Sequence, residues 1–97
     1  MEIKLNVYES NSSKEPMKVY SCYGLSFETI IKFEDYQKKS SSADLKEQME
    51  LIYEFLVSVF GEFDKDHLLK IRPNDLHDFM LSIGQVVKGE YVKAEKN

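Results

Sequence analysis

The chain has 97 residues, a formal net charge of −4 and 42% hydrophobic side chains, which together indicate one soluble globular domain. No apolar run approaches the roughly 18 residues of a membrane-spanning helix, and Met1–Lys4 do not begin a secretory signal. A single cysteine, Cys22, excludes an internal disulfide and a cysteine-rich zinc site. With 17 acidic against 13 basic side chains, the composition argues against a nucleic-acid partner.

The N-terminal part of the chain predicts a β-hairpin. Apolar and polar residues alternate over 2–8, which is the period of a half-buried strand. A polar loop over 9–16 follows, and a second alternating run over 17–23, rich in β-branched and aromatic residues, ends at Gly24. We therefore expect the two runs to pair as a hairpin over 1–24.

A helical period begins directly after the hairpin. Phe27, Ile30 and Ile31, with Phe33 or Glu34 as the next member, fall at three- and four-residue steps, and Ser26 is a suitable N-cap. These signals predict a helix over 26–38. Lysines and serines follow it and predict a linker.

The strongest helical pattern lies between Asp44 and Phe60, and Gly61 is a suitable residue to end the helix. Its predicted apolar stripe consists of Leu45, Met49, Ile52, Tyr53, Leu56, Val59 and Phe60.

The C-terminal part predicts one or two short helical turns and then a last amphipathic helix. Asp64 is positioned to cap the short piece, and Asn74 to cap the last helix, whose end is indicated by Lys88 and Gly89. Residues 90–97 have no helical period and predict a flexible tail.

These elements predict an α+β, mainly α-helical fold, with an N-terminal β-hairpin followed by three to four helices. We expect a single compact domain over 1–89, made of the hairpin at 1–24 and a helical part at 26–89.

The acidity of the chain is concentrated in one segment. Residues 43–66 carry seven acidic and two basic side chains, whereas the rest of the chain is close to neutral. Glu47, Glu50 and Glu54 follow one another at steps of three and four and therefore share one helix face. This face is either a solvated surface that keeps the protein soluble or an acidic docking surface for a basic partner.

The sequence contains few residues suited to catalysis. Cys22 lies in a predicted strand, without a nearby cation that would lower the pKa of its thiol. His67 and His77 could hold a metal ion only if the fold brought them together, and surface histidines explain them equally well. We therefore predict no enzyme activity, no catalytic or metal site and no cofactor.

A short motif then carries a family resemblance. Its matching positions are Leu51–Phe63 with Val59-Phe60-Gly61, Asp66 with Leu68, and Asn74-Asp75-Leu76. With this layout over most of residues 1–88, the chain resembles the tail assembly chaperones of long-tailed phages and prophages of Gram-positive bacteria. It departs from that pattern at Ile71–Pro73, where relatives often have a glycine-leucine pair.

The resemblance implies a non-enzymatic role in building a phage tail. Such chaperones are thought to coat the tape-measure protein while tail-tube subunits polymerise around it. They often have a second, frameshifted form whose extension recruits tube protein. The resemblance also implies the cytoplasm of the bacterial host as the place of action and absence from the mature virion.

For this role we expect tape-measure protein, and also tail-tube protein, as partners, with no nucleic acid and no membrane; self-association is left open. The expected partner-binding residues are Glu47, Met49, Glu50, Tyr53, Glu54, Phe79 and Met80, of which the apolar ones belong either to a groove or to the core. The alternative function is a small adaptor or regulatory protein of a mobile element that binds one defined protein partner.

Overall fold

The structure, a computed structural model, describes the backbone of residues 1–96 and the side chains of residues 1–89. In this part of the chain a two-stranded antiparallel hairpin is followed by four helices, which confirms the α+β, mainly helical prediction. The elements are β1 (Ile3–Val7), β2 (Lys18–Cys22), α1 (Phe27–Ser40), α2 (Leu45–Phe60), α3 (Lys65–Leu68) and α4 (Pro73–Lys96).

The chain divides into two compact units. Unit 1 consists of Met1–Tyr23 and the chain from Ile71 onward, and unit 2 consists of Gly24–Lys70. The single domain over 1–89 stays a prediction, and each unit is described by itself. α4 continues past the predicted end at Gly89. The flexibility of the tail also stays a prediction, because its side chains lie outside the described residues.

Unit 1 is built on the alternation that predicted β1. Ile3, Leu5 and Val7 are all buried, while the residues between them are more exposed. β1 pairs with β2 from Ile3 opposite Cys22 to Val7 opposite Lys18, and α4 packs against β1. α4 contributes Phe79, a core residue four positions before Ile83 on the same helix face.

Arg72 orders the loop between β1 and β2. Its Nη2 donates hydrogen bonds to the carbonyl oxygens of Ser10, Asn11 and Ser13, at 3.3, 3.4 and 2.7 Å. Its guanidinium carbon also lies 3.6 Å from the centre of the Tyr8 ring, which is a cation–π contact. Because these carbonyls converge on one planar donor group, the loop has a fixed shape although its side chains are mostly exposed.

We expect Arg72→Lys to destabilise unit 1 by about 1–2 kcal/mol, because an ammonium group cannot both stack on Tyr8 and reach three carbonyls. Urea unfolding would measure the loss, and limited proteolysis would detect cleavage of the loop. The exposed Lys88→Ala is the control and should change stability by less than about 0.5 kcal/mol. A resistant loop and unchanged stability in Arg72→Lys would contradict the assignment.

The beginning of α4 differs from the sequence prediction. Asn74 is not the N-cap, because α4 begins one residue earlier, at Pro73. The Leu76 amide donates to the Arg72 carbonyl at 3.0 Å, which closes the first helical turn around both residues. Proline suits the first helical position because its missing N–H would have no partner there.

Unit 2 is held together by aromatic packing between α1 and α2. The Phe55 ring lies 5.6 Å from that of Phe33 and 6.3 Å from that of Tyr36, between ring centres. Phe55 is 1% exposed. One turn along the seam, the Thr29 hydroxyl lies 3.0 Å from the Ser58 hydroxyl, so that its buried oxygen is paired.

The helical period predicted for α1 coincides with its buried face only at Phe33. Phe27 and Ile31 are 80% and 59% exposed, whereas Thr29 and Phe33 are buried. Thr29 and Phe33 are four residues apart and therefore share the face toward α2. The predicted N-cap is confirmed, because Ser26 Oγ accepts a hydrogen bond from the Thr29 amide.

The predicted stripe of α2 needs two changes. Leu45, at the first helical position, is 74% exposed, and Phe55, which the stripe omits, belongs to the core together with Ile52 and Leu56. Because Phe33 and Tyr36 of α1 pack against Phe55, the buried face of α2 is wider than the predicted stripe. The N-cap is Asp44, whose Oδ1 accepts from the Glu47 amide at 2.8 Å.

The motif behind the family resemblance ends α2 and begins α3. Gly61 has a φ of +82°, a conformation that favours glycine, and its amide donates to the Val57 carbonyl at 2.8 Å. The rings of Phe60 and Phe63 stack at 6.2 Å. Asp64 then caps α3, as predicted.

Phe55→Ala should destabilise unit 2 by about 3–5 kcal/mol, because it removes a ring packed between two others. Ile31→Ala, on the exposed side of α1, is the matched control and should have an effect below about 0.5 kcal/mol. Chemical denaturation of both variants measures the loss of stability. A larger loss in Ile31→Ala than in Phe55→Ala would contradict the assignment of Phe55 to the core.

Candidate partner-binding surface

The predicted partner-binding residues divide between the two units. Five lie on α2 in unit 2, and two lie on α4 in unit 1. Among the α2 residues, the exposed ones are Glu47, Glu50 and Glu54, and the half-buried ones are Met49 and Tyr53.

On α4, Phe79 is 2% exposed and Met80 is half-buried. Phe79 is therefore a core residue of unit 1, one of the two roles that the sequence leaves open for it. Met80 keeps part of its side chain accessible.

A shallow groove runs along one side of the seam between α1 and α2. We call it the α1–α2 groove. Its wider part, about 480 Å³, is lined by Glu28, Lys32, Tyr53, Glu54, Val57 and Ser58. Its narrower part, about 160 Å³, is lined by Lys32, Asp35, Tyr36, Lys39, Leu51, Glu54 and Phe55.

Lys32 and Glu54 line both parts of the groove, so the two parts are adjacent. The sequence analysis identified Tyr53 and Glu54 but missed the α1 side and Val57. Four-residue steps from Glu28 to Lys32 and from Tyr53 to Val57 are the signal that places these residues on shared faces. The α1 residues can be assigned to the groove only once it is known that Thr29 and Phe33 are the buried residues of α1.

The exposed face of α2 beside the groove is acidic, and of its carboxylates Glu54 lines the groove itself. Asp44, Glu47, Glu50 and Glu54 are all exposed, and none of them forms a salt bridge with any residue whose side chain is described. The nearby negative charge of Asp44, a hydrogen bond with the Asp44 side chain and the charge of Glu50 raise the pKa of Glu47 above its ordinary value. The raised pKa reports a local excess of negative charge on this face.

We expect Asp44→Asn to lower the pKa of Glu47 toward its ordinary value, because asparagine removes the charge but still caps α2. Carbon-detected NMR titration of the Glu47 carboxyl group measures this change, and circular dichroism checks the helix. Glu62→Gln, at an exposed position after α2, should leave the pKa unchanged.

The sign of the pH effect follows from the raised value. The folded chain binds more protons than the unfolded chain between the two pKa values of Glu47, so lowering the pH through that interval stabilises the fold at this site. A Glu47 pKa that does not fall in Asp44→Asn would contradict the proposed charge repulsion.

A basic side chain of the protein already contacts the groove. Lys65 Nζ lies 5.5 Å from the centre of the Tyr53 ring, within the range of a cation–π contact. Tyr53 therefore offers its face to an ammonium group.

The other predicted chemistry can also be located. Cys22 lies in β2 and is buried, and burial raises the pKa of its thiol, although a hydrogen bond with the Ile3 backbone acts in the opposite direction. His67 lies in unit 2, 3.7 Å from Asp64, and His77 lies in unit 1. Within the described side chains, no group of three or more His, Cys, Asp or Glu residues is arranged to hold a metal ion.

Unit 1 contains one further cavity, of about 190 Å³, between β1 and α4. Its lining residues are Glu2, Ile3, Lys4, Asn6, Asp75, Asp78, Phe79 and Ser82. Asp75 Oδ2 is buried there without a hydrogen-bond partner among the described residues.

Comparisons of the chain with protein-family models, with curated proteins and with solved structures gave no match. Over the described residues, every helix is too short or too polar to cross a membrane.

Proposed function

We propose that the protein is a non-enzymatic tail assembly chaperone, which binds a phage tape-measure protein and supports assembly of the tail tube. Its place of action is the cytoplasm of the bacterial host, and it is left out of the mature virion. The family resemblance of the segment Leu51–Phe63 is the starting point of this proposal.

The observation that carries the proposal is the accessible surface of α2. Met49, Tyr53 and Val57 are half-buried rather than part of the core, so they offer apolar contact area without being needed to hold α1 against α2. Acidic side chains lie beside them. An apolar strip with a charged surround is suited to binding a helical client while the complex stays in solution.

The exposed Phe27 and Ile31 lie on the other side of α1, away from Phe33 and the seam. They therefore provide an independent apolar position for comparison with the α2 surface.

Co-expression with the tape-measure protein encoded by the same phage or prophage tests the proposal. We expect the wild-type protein to keep this client in the supernatant. The double variant Met49→Ser/Tyr53→Ser should lose most of this effect, because truncation of an aromatic contact at the centre of an interface often weakens binding by tenfold or more. Ile31→Ser is the matched control and should keep the client soluble.

Circular dichroism must show that the double variant is folded, and Met80→Ser tests the accessible part of unit 1 separately. A tape-measure protein that is equally soluble with and without this protein would reject the chaperone function. Light scattering of the complex separates the alternative, since an adaptor gives one fixed stoichiometry and a chaperone gives many copies along one client.

A further inference from the structure

We propose that the α1–α2 groove binds a basic amphipathic helix, with the apolar stripe of that helix on Tyr53 and Val57 and its lysine or arginine side chains along the acidic α2 side. This inference rests on the proposed function and specifies the chemistry of the client segment.

Shape and polarity indicate an amphipathic helix. The groove follows the α1–α2 seam from Ser58 to Leu51, and its lining contains half-buried apolar groups flanked by charged ones. Met49, Tyr53 and Val57 follow one another at four-residue steps along α2, so the apolar strip is continuous over about two turns. A helix with apolar residues at similar steps matches this strip.

Charge indicates a basic helix. Glu54 lines the groove, and Glu47 and Glu50 precede it on the same exposed face of α2 without lining the groove themselves. None of the three has a cationic partner among the described side chains. The charge of Asp44 and, to a smaller extent, that of Glu50 raise the pKa of Glu47, and a cation beside these carboxylates would relieve the repulsion. A helix with basic residues at three- and four-residue steps would place a cation beside each carboxylate.

The contact between Lys65 and Tyr53 is independent support. Lys65 comes from α3, outside the groove-forming helices, yet its ammonium group lies over the Tyr53 ring, which lines the wider part of the groove. The chain itself therefore provides an example of the contact that a basic partner would make.

Lys32 allows a test in which a substitution strengthens binding, alongside the test at Glu54, in which a substitution weakens it. Its side chain lines both parts of the groove, and it forms no salt bridge among the described residues. A basic helix would bind in spite of this charge, so removal of the charge should strengthen binding, which a misfolded variant could not imitate.

The experiment uses the full chain and two fluorescein-labelled synthetic helical peptides that have the same leucine stripe. One peptide carries lysines on its polar face, and the other carries glutamates. Fluorescence anisotropy should show binding of the lysine peptide, weaker at higher salt, and at least about tenfold weaker binding of the glutamate peptide. For the lysine peptide, we expect Glu54→Lys to weaken binding by about tenfold and Lys32→Gln to strengthen it severalfold.

Glu34→Lys changes an exposed charge on α1 that does not line the groove, and it should leave binding nearly unchanged. Equal binding of the two peptides, or an equal loss in Glu34→Lys and Glu54→Lys, would overturn the inference. If the peptide binding contradicts the inference in either of these ways while co-expression still keeps the tape-measure protein soluble, the groove inference fails and the chaperone function stands. If the lysine peptide binds as expected while the tape-measure protein precipitates, the function fails and the groove chemistry stands.

Discussion

The packing of Phe55 between Phe33 and Tyr36 determines what the rest of unit 2 can offer to a partner. These three rings set the rotation of α1 and α2 about their own axes, because each helix must turn one particular face toward the other. Once that face is used, Tyr53 and Val57 can only be partly covered. The groove is therefore a consequence of the core.

The same rotation explains the distribution of charge. The glutamates of α2 lie on the side away from the buried rings, and the next basic residue on the helix, Lys46, pairs with none of them. Like charges on one helix face are unfavourable to folding by a small amount. That small cost remains in the free protein and is removed when a cation approaches, so this surface favours basic partners over acidic ones of the same shape.

Local signals in the sequence were sufficient for several features that depend on near neighbours, although the cap predicted at Asn74 was wrong. The alternation of β1, the cap at Ser26 and the stop at Gly61 are examples, because each involves residues within one turn or one strand. The inner face of α1 was not predictable in this way. Thr29 has a polar side chain, and one of the partners that pair its buried hydroxyl group is Ser58, which lies far along the chain. The α1 side of the groove was missed for the same reason.

The division of the chain has a consequence for the loop that each unit must close in order to fold. Unit 2 is one uninterrupted segment, whereas unit 1 joins two segments that are separated in sequence by the whole of unit 2. A two-stranded hairpin alone is at best marginally stable in water. The loop of this hairpin is also held by Arg72, which lies in the second segment of unit 1. Unit 1 must therefore close a longer loop than unit 2 before its contacts form, which costs more chain entropy and favours slower folding of unit 1.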